Sequence, residues 1–354
     1  MSRLGKLAGQ VLKSNLQELP RPYRMTMILT YRCQLRCSMC GISKREPGDE
    51  LTAAEIARFL ERSPGLSWIN LSGGEIFQRL DLLEIVDAIF DKCQGLYLLN
   101  FPTNGYDTET IVQTLAAITS RSRSPRLMVT VSVDGPPAIH DRIRGVPDSW
   151  ERAVETYRCL RQLQGPRFRV SLGMTLQQAN ADAFEETVRA VSDRIGKVQY
   201  RDFHVNVAHR SDHYYVNVDR KVFGDQEQIQ AQMERIRTLR REPFLDPVGR
   251  LERLYQQHAE DYLRTGRTPM PCQALGASFF LDPAGMVYPC TIYNRPIGNI
   301  RDHDFRLASL WQSEQRIALR QEIRAGSCPQ CWTPCEAYQS ILANLSPWRR
   351  RRST

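Results

Sequence analysis

The chain has 354 residues, 42% hydrophobic and 25% charged, which is ordinary for a globular protein rather than a disordered one and allows one large domain, with or without a small satellite. The net charge is +9, but Arg349 to Arg352 supply four of those units, and no helix-turn-helix, zinc-finger or aromatic RNA-binding pattern accompanies it, so no nucleic-acid partner is expected. No apolar run reaches the length of a signal peptide or a bilayer span, so the chain reads as cytoplasmic, and its ten cysteines read as ligands or core side chains rather than disulfides.

Residues 1–23 form an amphipathic segment. LGKLAGQVLKSNLQEL repeats apolar residues at Leu4, Leu7, Ala8, Val11, Leu12, Leu16 and Leu19, with Arg3, Lys6 and Lys13 on the other side. Such a helix either packs on the body or, with the basic tail 346–354 (Trp348 beside four arginines), rests on an anionic membrane surface.

From 24 to 210, short apolar or β-branched runs at 25–30, 67–71, 96–101, 127–134, 168–174 and 198–205 alternate with helix-period runs such as LTAAEIARFLERS and LDLLEIVDAIFDK. Six β-α repeats predict a parallel sheet with helices outside. Right-handed crossovers curl it into a partial (β/α)6 TIM-like barrel, with chemistry at the C-terminal ends of the strands. The alternation stops after 210. A polar, helix-prone linker is expected over 211–266 and a small cysteine-rich domain over 267–345.

TYRCQLRCSMCG, residues Thr30 to Gly41, follows the first strand and carries Cys33, Cys37 and Cys40, with three and then two residues between them. Thiolates are the usual ligands of iron-sulfur clusters. Close spacing lets one loop reach three irons of a cube, leaving the fourth open to a substrate or cosubstrate. SGGE (Ser72 to Glu75) follows the second strand; its glycines allow close backbone approach and its carboxylate complements an ammonium. PTNG (Pro102 to Gly105) ends the third strand and SVDGPPAIHDRIRG (Ser132 to Gly145) the fourth. Singly, these motifs also read as a zinc loop with a distant fourth ligand, an ordinary turn and a plain strand end.

Taken in order, they resemble the radical S-adenosylmethionine enzymes, whose signature is C-x3-C-x2-C, over residues 24–206. The resemblance implies that Cys33, Cys37 and Cys40 hold a four-iron cluster whose open iron takes the methionine part of S-adenosylmethionine. It places Gly73, Gly74 and Glu75 at the methionine amino group and Ser132 and Arg144 at its carboxylate, a pairing that suits a guanidinium. Thr103 and Asn104 are further candidates for that pocket. Met39 stands where the family often has an aromatic residue near the adenine, and its thioether can fill that space.

Five more cysteines follow: Cys272, Cys290, Cys328, Cys331 and Cys335. Cys290 closes the hairpin-like SFFLDPAGMVYPC, and the last three form C-x2-C-x3-C. This resembles the SPASM domain, or its shortened twitch version. Five thiols suffice for one auxiliary four-iron cluster and not for two. The resemblance implies Cys272, Cys290, Cys328 and Cys331 as ligands, with Cys335 a spare or a replacement. Four thiolates also suit zinc, so a structural zinc-binding protein stays as the non-enzymatic alternative. Cys93 and Cys159 fall inside helix-like runs and read as buried apolar residues.

The resemblance implies reductive cleavage of S-adenosylmethionine to a 5′-deoxyadenosyl radical that abstracts a substrate hydrogen, in a net oxidation or modification of a small-molecule or lipid-linked substrate. Maturation of a ribosomally made peptide is the alternative. An external electron donor such as flavodoxin or ferredoxin is implied. Only about thirty residues precede the first cysteines, too few for a leader-recognition domain. A sulfatase-maturing relative would place an aspartate after Cys290; Thr291 stands there, so no acid or base is assigned. Asp282, Tyr288, Tyr293 and Arg295 lie near the expected cavity by sequence only and read as structural.

Overall fold

The computed structural model describes residues 2–46, 48–121, 125–221, 223–240 and 246–345; the basic tail 346–354 lies outside the described residues. In chain order, α1 (Arg3–Leu16) precedes β1 (Arg24–Ile28), α2 (Ala53–Arg62), β2 (Trp68–Ser72), α3 (Leu82–Lys92), β3 (Leu98–Thr103), α4 (Thr108–Thr119) and β4 (Arg126–Ser132). Then come α5 (Pro137–Arg144), α6 (Ser149–Arg161), β5 (Phe168–Leu176), α7 (Phe184–Ile195) and β6 (Phe203–Val207). These six strands pair in parallel with their neighbours in sequence order, giving the expected α/β barrel arc.

Local chemistry accounts for the element ends. Thr52 and Glu55 form a reciprocal capping box that starts α2. The helix α5, absent from the sequence reading, begins with Pro137 in its first turn and ends at Gly145 in the left-handed region. β6 starts at Phe203, inside the strand expected over 198–205, because Asp202 accepts the Gln199 amide at 2.8 Å and closes a short turn first.

The two faces of the arc differ. In β4, Leu127, Val129 and Val131 are fully buried in the helix-facing core, while Met128, Thr130 and Ser132 alternate with them and are half-buried on the concave side. β5 and β6 repeat this, presenting Ser171, Gly173, Thr175, His204 and Asn206 inward. β1, by contrast, is buried on both faces.

What covers β1 comes from the far end of the chain. After α8 (Gln226–Leu239) and α9 (Pro247–Thr265) come β7 (Ser278–Leu281), β8 (Met286–Tyr288), β9 (Gly298–Asn299), α10 (Leu307–Trp311), α11 (Glu314–Arg324) and α12 (Pro334–Ala343). β7 pairs in parallel with β1 from Arg24–Ser278 to Met27–Leu281, and β8 and β9 continue antiparallel. The described strands therefore form one nine-stranded sheet, β6-β5-β4-β3-β2-β1-β7-β8-β9. The cysteine-rich region does not build a sheet of its own; it extends the barrel's.

α12 is anchored at the starts of β1 and β2. Arg24 donates to Gln339 and, at 3.1 Å, to the Pro334 carbonyl, and lies 4.0 Å over the Trp68 ring, which stacks on Tyr338. Cation-π contact and charge-assisted hydrogen bonds compensate for burying a guanidinium there. α1 divides its apolar residues: Leu7 and Val11 pack with Leu19, Tyr23 and Ala277, while Leu4, Ala8, Leu12 and Leu16 face outward.

Candidate active site

The cysteine loop leaves the C-terminal end of β1 and is held from two sides. Arg36 and Ser38 amides donate to the Arg144 and Ile143 carbonyls at 3.0 and 2.7 Å, at the end of α5. On the other side Gly41 donates to the Tyr215 carbonyl at 2.6 Å, Asn217 donates to Met39 O, and Arg220 donates to both Cys37 O and Ser38 O, each at 2.9 Å. The start of the expected linker is thus a clamp on the loop. Sequence reading missed it, because Asn217 and Arg220 carry no motif.

The SGGE glycines solve a crossing problem. Gly74 and Glu75 amides donate to the Thr30 and Arg32 carbonyls at 2.9 and 2.8 Å, so the strand end lies directly on the cysteine loop. A Cβ on Gly73 would run into the Thr30 carbonyl, and one on Gly74 into that of Arg32. Their need for glycine is backbone contact between β1 and β2 ends. Ser72 instead meets the Tyr214 hydroxyl at 3.1 Å.

Glu75 is buried. One carboxylate oxygen accepts Thr103 Oγ1 at 2.9 Å and the Asn104 amide at 2.7 Å; the other accepts only the Phe77 amide, at 3.4 Å. Burial outweighs these bonds and pushes its pKa up to about 7. A neighbouring ammonium would restore the carboxylate. Asn104 also reaches Cys33 Sγ at 3.8 Å.

Arg144 sits across the loop, with Nη1 3.8 Å from Cys37 Sγ and Nη2 2.6 Å from the fully buried Asp134. Asp134 in turn accepts the Thr175 amide at 2.8 Å. The pairing holds Arg144 charged despite burial, and its Nε is buried with no hydrogen-bond partner among the described residues, a donor left over for an anion. Ser132 ends β4 on the concave face, opposite Gly173.

Burial pushes the Cys33 and Cys40 thiols up to about 11 and 12, and Cys37 upward as well. Without a cation such sulfurs stay protonated; metal binding would supply the missing positive charge. Among the described residues, no three His, Cys, Asp or Glu side chains gather around one point as ligands of a single ion.

The second thiol set lines a small apolar cavity. Cys272, Cys290, Cys328 and Cys331 border it with Ile292, Tyr293 and Ile323, and Cys335 does not. Amides point at the sulfurs: Ala274 N at Cys272, and Ile292 N and Tyr293 N at Cys290, each at 3.4 Å. A shared hydrogen bond pushes Cys290 up and Cys331 down. Cys335 instead lies beside Thr26 of β1, where burial pushes its thiol up to about 11 although Arg24 partly offsets it. Cys93 is buried, while Cys159 is half-exposed against Glu155 at 3.4 Å.

Both candidate cofactor chemistries fit these residues: beyond the ends of β1 to β4 stand three soft sulfur donors, an acceptor oxygen with spare capacity and a guanidinium nitrogen, and a separate cavity is lined by four more sulfurs. Comparison with known proteins then decides the family. Residues 27–191 match the model of the radical SAM superfamily, and residues 272–335 that of the SPASM iron-sulfur cluster-binding domain.

The chain is a radical SAM enzyme with a SPASM domain.

A four-iron cluster and S-adenosylmethionine are therefore its cofactors, with iron-sulfur binding also at the C-terminus. It is 28% identical to the AdoMet-dependent heme synthase of Methanosarcina barkeri over 86% of each chain. It is 23% identical to the sporulation killing factor maturation protein SkfB of Bacillus subtilis, over 87% of this chain and 69% of SkfB. The fold matches S-adenosylmethionine-bound SuiB of Streptococcus suis with a TM-score of 0.60, at 15% identity, over 88% of this chain and 70% of SuiB.

One polar cluster escaped the sequence reading. His204 Nδ1 lies 3.1 Å from both Glu252 carboxylate oxygens, and Tyr338 donates to Glu252 at 2.6 Å. His204, Arg240 and Tyr338 outweigh the burial that would raise Glu252 and hold its pKa at about 2. The inward alternation of FHVNV could have flagged His204 and Asn206; nothing local flags Glu252. Thr291 is buried, and Tyr293 and Arg295 bond to Glu322 at 2.6 Å, in structural roles away from the barrel interior. Asp282 accepts the Ala284 and Met286 amides of the β7–β8 turn.

Proposed function

We propose that this enzyme reductively cleaves S-adenosylmethionine and uses the resulting 5′-deoxyadenosyl radical to take a hydrogen atom from a small molecule in the open half of the barrel. The carrying observation is the meeting of Cys33, Glu75 and Asn104 on one side of the loop, and Cys37 and Arg144 on the other. The bound cluster and cosubstrate supply the one-electron chemistry. Cys33, Cys37 and Cys40 would ligate the first cluster; Glu75 would accept the methionine ammonium, and Arg144 Nε would donate to its carboxylate. Cys272, Cys290, Cys328 and Cys331 would ligate a second cluster, leaving Cys335 free.

The inward residues Thr130, Ser171, Thr175, His204 and Asn206 offer hydroxyls, an imidazole and an amide to a polar substrate. End-to-end similarity to a heme synthase supports a small-molecule substrate. The second reading, maturation of a peptide, is favoured by the similarity to SkfB. A flavodoxin- or ferredoxin-type donor in a reducing cytoplasm would deliver the electron.

Anaerobic reconstitution with iron and sulfide tests this. Roughly eight irons per chain are expected, with 5′-deoxyadenosine released only when S-adenosylmethionine and a reductant are both present. Parallel incubations with a porphyrin and with a short peptide show which one increases that release. Bound zinc without cleavage would overturn the reading.

A further inference from the structure

α1 makes half of its apolar surface useless to the fold. Leu7 and Val11 pack inward, yet Leu4, Ala8, Leu12 and Leu16 recur every fourth residue and form one outward stripe. Leu4 is 55% exposed, Leu12 65% and Leu16 82%. Isolated exposed leucines are commonplace, but an aligned row along a helix marks a surface that something else covers.

The chemistry around the stripe selects the occupant. Residues 1–17 contain no Asp or Glu; Arg3 donates to the Gln94 carbonyl at 3.2 Å and Lys6 reaches Gly95, while Lys13 is exposed. Glu18, the first acid, is held by Arg316 at 2.8 Å and Arg324 at 3.9 Å. Asn15 donates to the Leu342 carbonyl at 2.8 Å, so α12 ends beside the last turn of α1. There Leu345 is 58% exposed, and the sequence continues with Pro347, Trp348 and Arg349 to Arg352. A leucine row, a tryptophan, five further basic residues (Lys13 and Arg349 to Arg352) and a neutralised acid suit an interface that is apolar inside and anionic at its edge. Among the described residues, no helix is long and apolar enough to cross a membrane, so contact through these elements would be along its surface.

We infer that the outer stripe of α1, with the basic segment 349–352, seats the enzyme on an anionic phospholipid bilayer. The leucines enter the headgroup boundary, and the arginines pair with lipid phosphates. This surface is independent of the cofactor sites and of the reaction proposed above.

The test is co-sedimentation of the full-length reconstituted enzyme with vesicles of phosphatidylcholine containing one-third phosphatidylglycerol, or of phosphatidylcholine alone. Binding is expected to the anionic vesicles only, and to weaken several-fold between low and physiological salt. Leu12→Asp with Leu16→Asp should lower the partition coefficient by roughly tenfold or more, as should Arg349→Ala through Arg352→Ala. Both variants should keep the wild-type melting temperature and rate of 5′-deoxyadenosine release. Absence of binding to anionic vesicles overturns the inference, as does a Leu12→Asp/Leu16→Asp protein that binds as well as wild type. A wild-type dimer that these two aspartates split would also overturn it, because a second copy would then be the occupant.

Discussion

The two sulfur sites use the same side chain in opposite ways. The first places three thiols on one eight-residue stretch at a strand end, between Asn104 with Glu75 on one side and Arg144 on the other. The second draws four thiols from separate stretches of chain into an apolar cavity, with backbone amides filling the remaining approaches. A short loop reaches three corners of a cube and leaves one for chemistry; a scattered set closes around it. The difference suggests an open site for reaction and a sealed one for structure or electron transfer.

Removing a ligand from each site should break that contrast most strongly. Cys37→Ala should reduce 5′-deoxyadenosine release well beyond the roughly 100-fold typical of losing an outer-shell partner of a metal, while about four irons stay bound at the far site. Cleavage persisting at the wild-type rate would show that the loop is not the reactive site.

The sealed site should behave differently. Cys331→Ala should also leave about four irons, but with S-adenosylmethionine cleavage retained within roughly tenfold. Cys335→Ala should keep all of the iron, since Cys335 lies beside Thr26 rather than lining the cavity. Iron lost equally from both variants would make Cys335 a ligand and enlarge the closed set.

A smaller effect separates cosubstrate from cluster. Glu75→Gln should retain the iron and weaken S-adenosylmethionine binding by roughly tenfold to a hundredfold, the value of one charge-assisted hydrogen bond. Burial raises the Glu75 pKa to about 7, so the empty protein favours the neutral acid and loses this contribution to stability as pH rises through about 7. An ammonium ligand needs the carboxylate, so affinity should fall as pH drops below that value. Titration calorimetry on the iron-loaded protein would show this slope in wild type and none in the variant; a slope shared by both would exclude Glu75 as its source.

The open site was legible because its chemistry is local. Cys33, Cys37, Cys40 and SGGE each fit within one turn or loop, and period-2 and period-3.6 patterns ordered the strands that present them. The misses were long-range. Nothing near Ser278 announces pairing with β1, and Asn217 and Arg220 clamp Met39, Cys37 and Ser38 from far along the chain. In the sequence the apolar residues of α1 form a single face, and only tertiary packing decides that Leu7 turns in and Leu12 turns out.

The smallest predicted effect concerns the seam between the two regions. Tyr338 of α12, Glu252 of α9 and His204 of β6 meet where the C-terminal helices cross the barrel, and Tyr338 donates to a fully ionised Glu252 at 2.6 Å. Tyr338→Phe should therefore cost about 2 kcal/mol near pH 7, the worth of a hydrogen bond to a charged group. Burial alone would raise Glu252, but its partners hold it at about 2 against an ordinary 4.5, so its stabilisation is present above 4.5 and lost as pH falls towards 2. The gap between variant and wild type in urea midpoints should narrow over that window. Because β7 pairs directly with β1, the whole protein should unfold in one transition, with the far site's iron released as the barrel melts. Two separated transitions, only one of them moved by Tyr338→Phe, would show instead that the sealed site stands on its own and that the continuous sheet does not couple it to the open one.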